Sequence, residues 1–271
     1  MKTAIIAIAK CEELYIKEWL DYHLNLGFDT IIVADNDDEL ILSGYSSDGV
    51  IIEDYTKVEC VQPKAYTELY HKYQKDYDWI LFLDIDEFVV LEEDKTINAF
   101  LSRFSRDEVD TVRLTAKHFT DNDELDVIDG NYNVFDRFKT PIDTEKDNFC
   151  KSFINTRIDT GNARILGHGL YTPTLRAVDA KGEKCTTEKR MERVVHEVAW
   201  YNHYRTKTIG EYIRQKYKRG GANKNDSRYG HFWERYFKVT NNLTEEKIKY
   251  AVSLGAARYK PFKVNNKKIN K

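Results

Sequence analysis

Long apolar runs are missing from this sequence. No stretch approaches the roughly 18 consecutive apolar residues of a membrane-spanning helix, so none is expected. The start does not read as a signal peptide either. Apolar residues 3–9 give way to Lys10, Cys11 and Glu12, and a cytoplasmic location is expected. Cysteine is scarce: Cys11, Cys60, Cys150 and Cys185 are far apart, with no Cys-x-x-Cys pair. That disfavours a zinc ribbon or a disulfide scaffold and fits a reducing compartment. The Gly-x-Gly-x-x-Gly turn of dinucleotide folds is absent, so phosphates must be held another way. No internal repeat occurs. Core material is ample, with 41% hydrophobic and 13% aromatic residues, which excludes global disorder.

A net charge of −3 conceals two opposed halves. Residues 1–130 carry 12 Lys and Arg against 30 Asp and Glu, a net of −18, and the remainder carries 30 against 15, a net of +15. An acidic half suits a metal site. A basic half suits polyanions such as diphosphates or acidic lipid headgroups, and nucleic acid is not expected as a partner. Two halves that simply attract each other is the alternative.

Apolar runs at residues 4–9, 30–34, 50–52 and 79–83 have the length of strands buried on both faces. Between them the pattern turns helical. Ile16, Trp19, Leu20, His23 and Leu24 share one face up to Gly27, and a helix opened by Pro63 carries Tyr66, Leu69, Tyr70 and Tyr73. Alternation of this kind predicts an α/β fold, with a Rossmann-like, mostly parallel central sheet flanked by helices. Thr96 caps a short helix, residues 109–114 read as a half-exposed strand, and 115–150 read as loops over the carboxyl edge of the sheet. Further strands are expected at 151–155, 163–166 and 193–203, with a hairpin turn at 178–184. Helices are expected from Ile209 to Gly220, near 231–239, and at 244–256 behind Thr244. The expected division is a main domain over 1–235 and a C-terminal helix with a basic tail over 236–271.

Two constellations carry chemistry. Residues 79–83 run straight into Asp84, Ile85, Asp86 and Glu87. Ligands of open α/β sheets gather at the carboxyl ends of such strands. Three carboxylates there repel unless a cation compensates, and Asp-x-Asp suits a hard divalent ion bridging to a phosphate-bearing substrate. An acidic surface turn is the plainer reading. The second constellation is Asn202-His203-Tyr204-Arg205-Thr206-Lys207. His203, leaving a strand, can add an imidazole to the ion, and Arg205 and Lys207 can clamp a diphosphate at a helix entrance.

These residues fall into a wider series. Lys10-Cys11-Glu12-Glu13, Tyr15-Ile16-Lys17-Glu18-Trp19, His23, Gly27, Asp35-Asn36-Asp37 and Leu83-Asp84-Ile85-Asp86-Glu87-Phe88 come first. Asp121-Asn122, Phe135-Asp136-Arg137-Phe138, Gly167-His168, the His203 segment and Arg219-Gly220 follow. In this order they resemble bacterial glycosyltransferases of the family 2 and family 92 type, over roughly residues 4–235. His203-Tyr204-x-x-Lys207 is also similar to the His and Lys near the C-terminus of family 8 enzymes. Residues 120–123, Thr-Asp-Asn-Asp, stand where many relatives have a Gly/Ser-rich turn.

The resemblance implies a GT-A fold and transfer of a sugar from a nucleotide diphosphate donor, with Mn²⁺ or Mg²⁺ on Asp84, Asp86 and His203. It favours inversion, which needs a carboxylate to take the acceptor proton. Asp121 is the candidate, with Asp123 and Asp179 as alternatives, and Asn122 and His168 are candidate acceptor contacts. Lys10 and Asp35, at the first strand ends, are candidates for the nucleobase; a carboxylate there accepts a uracil imide hydrogen and points to a UDP-sugar. A glycan or lipid-linked acceptor, as in surface polysaccharide synthesis, is implied. Six basic residues in 258–271 read either as a solvated end or as a tether to an anionic membrane. Two other functions stay open, a haloacid-dehalogenase-type phosphatase and a non-catalytic sugar- or nucleotide-binding module.

Overall fold

The computed structural model describes residues 1–59, 61–142, 147–158, 165, 169–170, 174–217, 233, 236–237, 240 and 242–256, with the backbone of 263–264 and 267–268. Contacts divide the chain into two units, residues 1–117 with 145–203 and residues 118–144 with 204–271.

The first unit is α/β. Strands β1 (Thr3–Ala9), β2 (Thr30–Asp35), β3 (Val50–Asp54) and β4 (Trp79–Phe82) lie in the order β3-β2-β1-β4, all parallel. They are the apolar runs of the sequence. Parallel strands covered by crossover helices must be apolar on both faces, and every residue of β4 is buried. Helices α1 (Ile16–Asn25) and α2 (Val61–Tyr73) supply the cover. On one face Ala4, Ile6, Ile32 and Phe82 pack with Tyr66, Leu69 and Tyr70 of α2. Pro63 lies in the first turn of α2, two residues later than the sequence suggests, where its missing N–H breaks no helical bond.

Beyond β4 the sheet turns antiparallel. Strand β5 (Glu87–Leu91) follows β4 directly, and the path continues from β4 through β8 (Cys150–Asn155), β6 (Thr111–Phe119) and β10 (Ala199–His203) to β5. Strand β9 (Ala177–Asp179) pairs parallel with β6. The hairpin expected at 178–184 is present, with Gly182 at φ +83°. Asp179 organises it by accepting from the N–H groups of Lys181 and Glu183 at 2.9 and 3.0 Å.

Strand 109–114 was expected to be half-exposed, and β6 corrects this: its polar alternates are buried with partners. Arg113 donates to the carbonyls of Thr186 and Glu188, and Thr115 Oγ1 donates to Val195 O at 2.9 Å. Of residues 193–203, only Ala199–His203 is strand.

Helix α1 fixes β5, the strand that leaves the acidic turn. Trp19 Nε1 donates to Glu87 O at 2.7 Å, and Tyr22 Oη donates to Val89 O at 2.8 Å. His23 is wholly buried and bridges the two elements. Val89 N donates to its Nε2 at 3.3 Å, so Nδ1 carries the proton given to Trp19 O at 2.9 Å. Burial lowers its pKa from 6.5 to about 3. Between those values the unfolded ring is protonated and the folded ring is not. Stability therefore falls as pH drops from 6.5, by about 1.4 kcal/mol per pH unit from this group. Urea unfolding at pH 7, 6 and 5 should show a shallower acid slope in His23→Gln than in wild type; equal slopes would refute the neutral ring.

The second unit holds β7 (Pro141–Ile142), paired with the last two residues of β6, and helices α4 (Val134–Arg137), α5 (Ile209–Tyr212) and α6 (Glu245–Ser253). The third helix, α3 (Ile97–Leu101), belongs to the first unit and has the expected Thr96 cap. In α5, Thr208 and Glu211 form a reciprocal capping box, and the chain continues as a single π turn over Ile213–Tyr217. Arg137 holds both carboxylate oxygens of Glu211 at 3.0 Å. Ile209, Tyr212, Ile213, Trp233, Tyr236 and Ala251 form the core of this unit. Thr244 caps α6 as expected. Most of the strand at 163–166, the helix at 231–239 and the tail at 258–271 lie outside the described residues. Among those described, no helix is long and apolar enough to cross a membrane.

Candidate active site

The register of the parallel strands sets the site. Ala9 is opposite Asp35, and Ile6 is opposite Phe82, so Lys10, Asp35 and Asp84 all stand at the carboxyl edge of the sheet. There the chain turns from β4 into β5 through Asp84–Glu87, closed by Glu87 N donating to Asp84 O at 3.0 Å. Strand β10 runs antiparallel to β5 with His203 opposite Glu87. Two segments more than a hundred residues apart in sequence thus meet. His203 Nε2 is 3.6 Å from Asp86 Oδ2, and His203 Nδ1 is 3.9 Å from Glu87 Oε1. The three expected metal ligands are all at this turn.

A fourth group joins them, and the sequence did not reveal it. Strand β8 lies beside β4 with Phe153 opposite Leu81, which brings Lys151 to the end where β4 gives out. Lys151 is wholly buried, with Nζ 2.8 Å from Asp84 Oδ2 and 2.9 Å from Glu87 Oε2. Burial works to strip its proton, but the charges of Asp84 and Glu87 prevail and hold it well above the ordinary lysine value. Glu87, 2% exposed, is pushed above the usual carboxylate range by burial, against the pull of Lys151. Tyr66 Oη donates to Asp84 Oδ1 at 3.2 Å. One signal was available: Lys151 opens a segment read as a strand, and a lysine that a sheet buries needs a buried partner.

A divalent ion fits this turn in part. Asp86, in the turn before β5, offers a hard oxygen and His203, at the end of β10, an imidazole, 3.6 Å apart and close enough to share an ion. Among the described residues, no three His, Cys, Asp or Glu side chains form a complete ligand set. Mg²⁺-type sites commonly use one or two carboxylates and leave the other positions to substrate phosphates and water. Glu87 lies on the Nδ1 side of His203, as carboxylates behind metal-binding histidines do, though 3.9 Å is longer than a hydrogen bond.

The other candidates are placed as follows. Asp35 is wholly buried, accepting from Leu42 N at 2.8 Å and Asp37 N at 3.2 Å, so its carboxylate organises the loop after β2. Asp37 accepts from Cys11 N at 2.9 Å, tying that loop to the turn after β1, where Lys10 is half-buried. Arg205, Lys207, Asp121 and Asn122 belong to the second unit. Lys207 is 3% exposed, and its Nζ donates to Gln215 Oε1 at 3.0 Å. Arg205 is half-buried.

Asp121 is 1% exposed. Its Oδ2 is 2.7 Å from Lys247 Nζ and accepts from Tyr236 Oη, while its Oδ1 accepts from Asp123 N at 3.1 Å. Both oxygens are occupied by groups of this unit, which is the setting of a structural carboxylate. Asn122 and Asp123 have φ of +51° and +62°, which explains how this turn does without the Gly/Ser-rich sequence. Asn and Asp enter the left-handed region more readily than other side chains. Asn122 Nδ2 donates to Arg137 O at 2.6 Å. His168 lies outside the described residues.

The model of glycosyltransferase family 92 matches residues 9–230. The chain belongs to glycosyltransferase family 92. Membership of a glycosyltransferase family argues against the phosphatase reading. No curated protein matches the sequence. Among solved structures, one described as the crystal structure of S. aureus TarS is similar, with 18% identity and a TM-score of 0.33. The match covers 48% of this chain and 23% of that one, so this family 92 chain spans under a quarter of that protein's length. A likeness at that score bears no weight.

Proposed function

We propose that this family 92 enzyme transfers a sugar from a nucleoside diphosphate sugar, UDP-linked first, to a hydroxyl of a glycan or lipid-linked acceptor. Inversion at the anomeric carbon and a place in surface polysaccharide synthesis are part of the reading. Its main support is the meeting of Asp84, Asp86 and His203 where β4 ends, in a chain of this family.

Breaking the anomeric C–O bond puts negative charge on the leaving diphosphate. A bound Mn²⁺ or Mg²⁺, held by Asp86 and His203 with Asp84 beside them, supplies Lewis-acid stabilisation of that charge. The protein's own part is to fix the imidazole between Asp86 and Glu87 and to keep the turn rigid through α1 and Lys151. Arg205 and Lys207 are the basic residues proposed for the diphosphate. Lys10 is proposed to border the nucleobase.

The test is release of nucleoside diphosphate from a panel of nucleotide sugars, with and without glycan acceptors. Release from a UDP-sugar that needs a divalent ion and rises with acceptor is the expected result. Nucleotide sugars left intact under every acceptor and metal tried would overturn the reading.

A further inference from the structure

We infer that Lys151 is the resident cation of the acidic turn. It is a positioning residue that engages Asp84 and Glu87 and directs a divalent ion to Asp86 and His203. This rests on reading the end of β4 as the donor site.

The inference comes from where the ammonium sits. A lysine 0% exposed has no water to solvate its charge, so carboxylates must do it, and Asp84 and Glu87 do so at 2.8 and 2.9 Å. The side chain comes from β8, an interior strand between β4 and β6, so it is fixed by the sheet rather than by a loop. Asp84 is gripped twice, by Lys151 on Oδ2 and by Tyr66 on Oδ1. Glu87 is gripped twice on Oε2, by Lys151 and by the backbone N–H of Asp84 at 3.0 Å. Its other oxygen faces His203 Nδ1.

A chain of contacts therefore runs from Lys151 through Glu87 to His203 and on to Asp86. Two consequences follow. A second positive charge placed against Asp84 meets the ammonium first, so a divalent ion is repelled from that side. With two protein ligands rather than three, the ion is held weakly until the diphosphate of the donor supplies the remaining oxygens. Lys151 thereby couples metal binding to donor binding.

The experiment measures Mn²⁺ binding to the full chain by the loss of the free-ion resonance signal, without nucleotide, and melting with Mn²⁺ or with EDTA. Lys151→Met should bind Mn²⁺ at least tenfold more tightly than wild type, because Asp84 is released to the ion. Mn²⁺ should also raise the melting temperature of this variant more than that of wild type. Lys151→Arg, which keeps the charge, should behave as wild type. A role in packing alone would make Lys151→Met less stable without tightening Mn²⁺ binding, and that result overturns the inference.

If Lys151→Met does not fold, Glu87→Gln/Lys151→Met also removes the buried carboxyl that the ammonium leaves behind, and Glu87→Gln alone is its reference. Mn²⁺ affinity in the double variant no greater than in that reference overturns the inference equally. Wild type binding Mn²⁺ with UDP while the Met variant shows no gain without nucleotide defeats the Lys151 role alone. Failure of every form to bind Mn²⁺, with or without UDP, defeats the donor-site reading and this inference together.

Discussion

Asp86→Asn should lower sugar transfer by about 10²- to 10³-fold and leave the melting temperature close to that of wild type. The magnitude is what removal of one preorganised electrostatic group costs an enzyme whose transition state gathers charge. Asn has the shape of Asp but not its charge. The turn is held by other groups, namely Trp19 on Glu87 O, Lys151 on Asp84 and Glu87, and the closure from Glu87 N to Asp84 O. Steady-state transfer at saturating Mn²⁺, beside a melting curve, separates the two effects. A variant that transfers at more than a third of the wild-type rate would remove Asp86 from the site.

Lys247→Met should destabilise the protein by about 3–5 kcal/mol, the usual result of leaving one buried charge without its partner. Lys247 and Asp121 are each 1% exposed by side chain and 2.7 Å apart, and Tyr236 closes over the same carboxylate. At about 2–4 °C per kcal/mol, the melting temperature should fall by roughly 10 °C. Asp121→Asn/Lys247→Met, in which neither charge remains, should recover most of that loss. The same pair settles what Asp121 does. A structural anchor loses stability in Asp121→Asn, whereas a catalytic base would lose turnover with stability intact. A loss under 1 kcal/mol for Lys247→Met would show that the pair does not hold this unit.

Much of the architecture was legible because its causes are local. β1, β2 and β4 are apolar runs that only helix-covered parallel strands require, and Thr96 and Thr244 precede their helices as caps do. Strand β5 was not legible. It starts at Glu87, which reads as the last residue of an acidic turn, and it exists because β10 pairs with it from far along the chain. Polar residues misled in β6, where Arg113 and Thr115 suggested an exposed face but are buried against carbonyl groups.

The site divides in the same way. Asp84, Asp86 and His203 could be singled out in the sequence because their residue types suit a metal and their neighbours are apolar or basic. Lys151 was missed because its partner Asp84 lies 67 residues away in sequence. The surroundings of Asp121 were hidden for a like reason: the lysine paired with it belongs to α6, and nothing near residue 121 announces it.

The account rests on the turn after β4 holding a divalent ion together with a nucleoside diphosphate, and calorimetric titration of UDP tests this most directly. Wild type and Asp86→Asn are titrated with Mn²⁺ and again with EDTA. Wild type should bind UDP at least tenfold more tightly with Mn²⁺ than with EDTA, and Asp86→Asn should show the weak EDTA value in both. UDP bound equally well by wild type in EDTA, or a Mn²⁺ gain kept in full by Asp86→Asn, would contradict it.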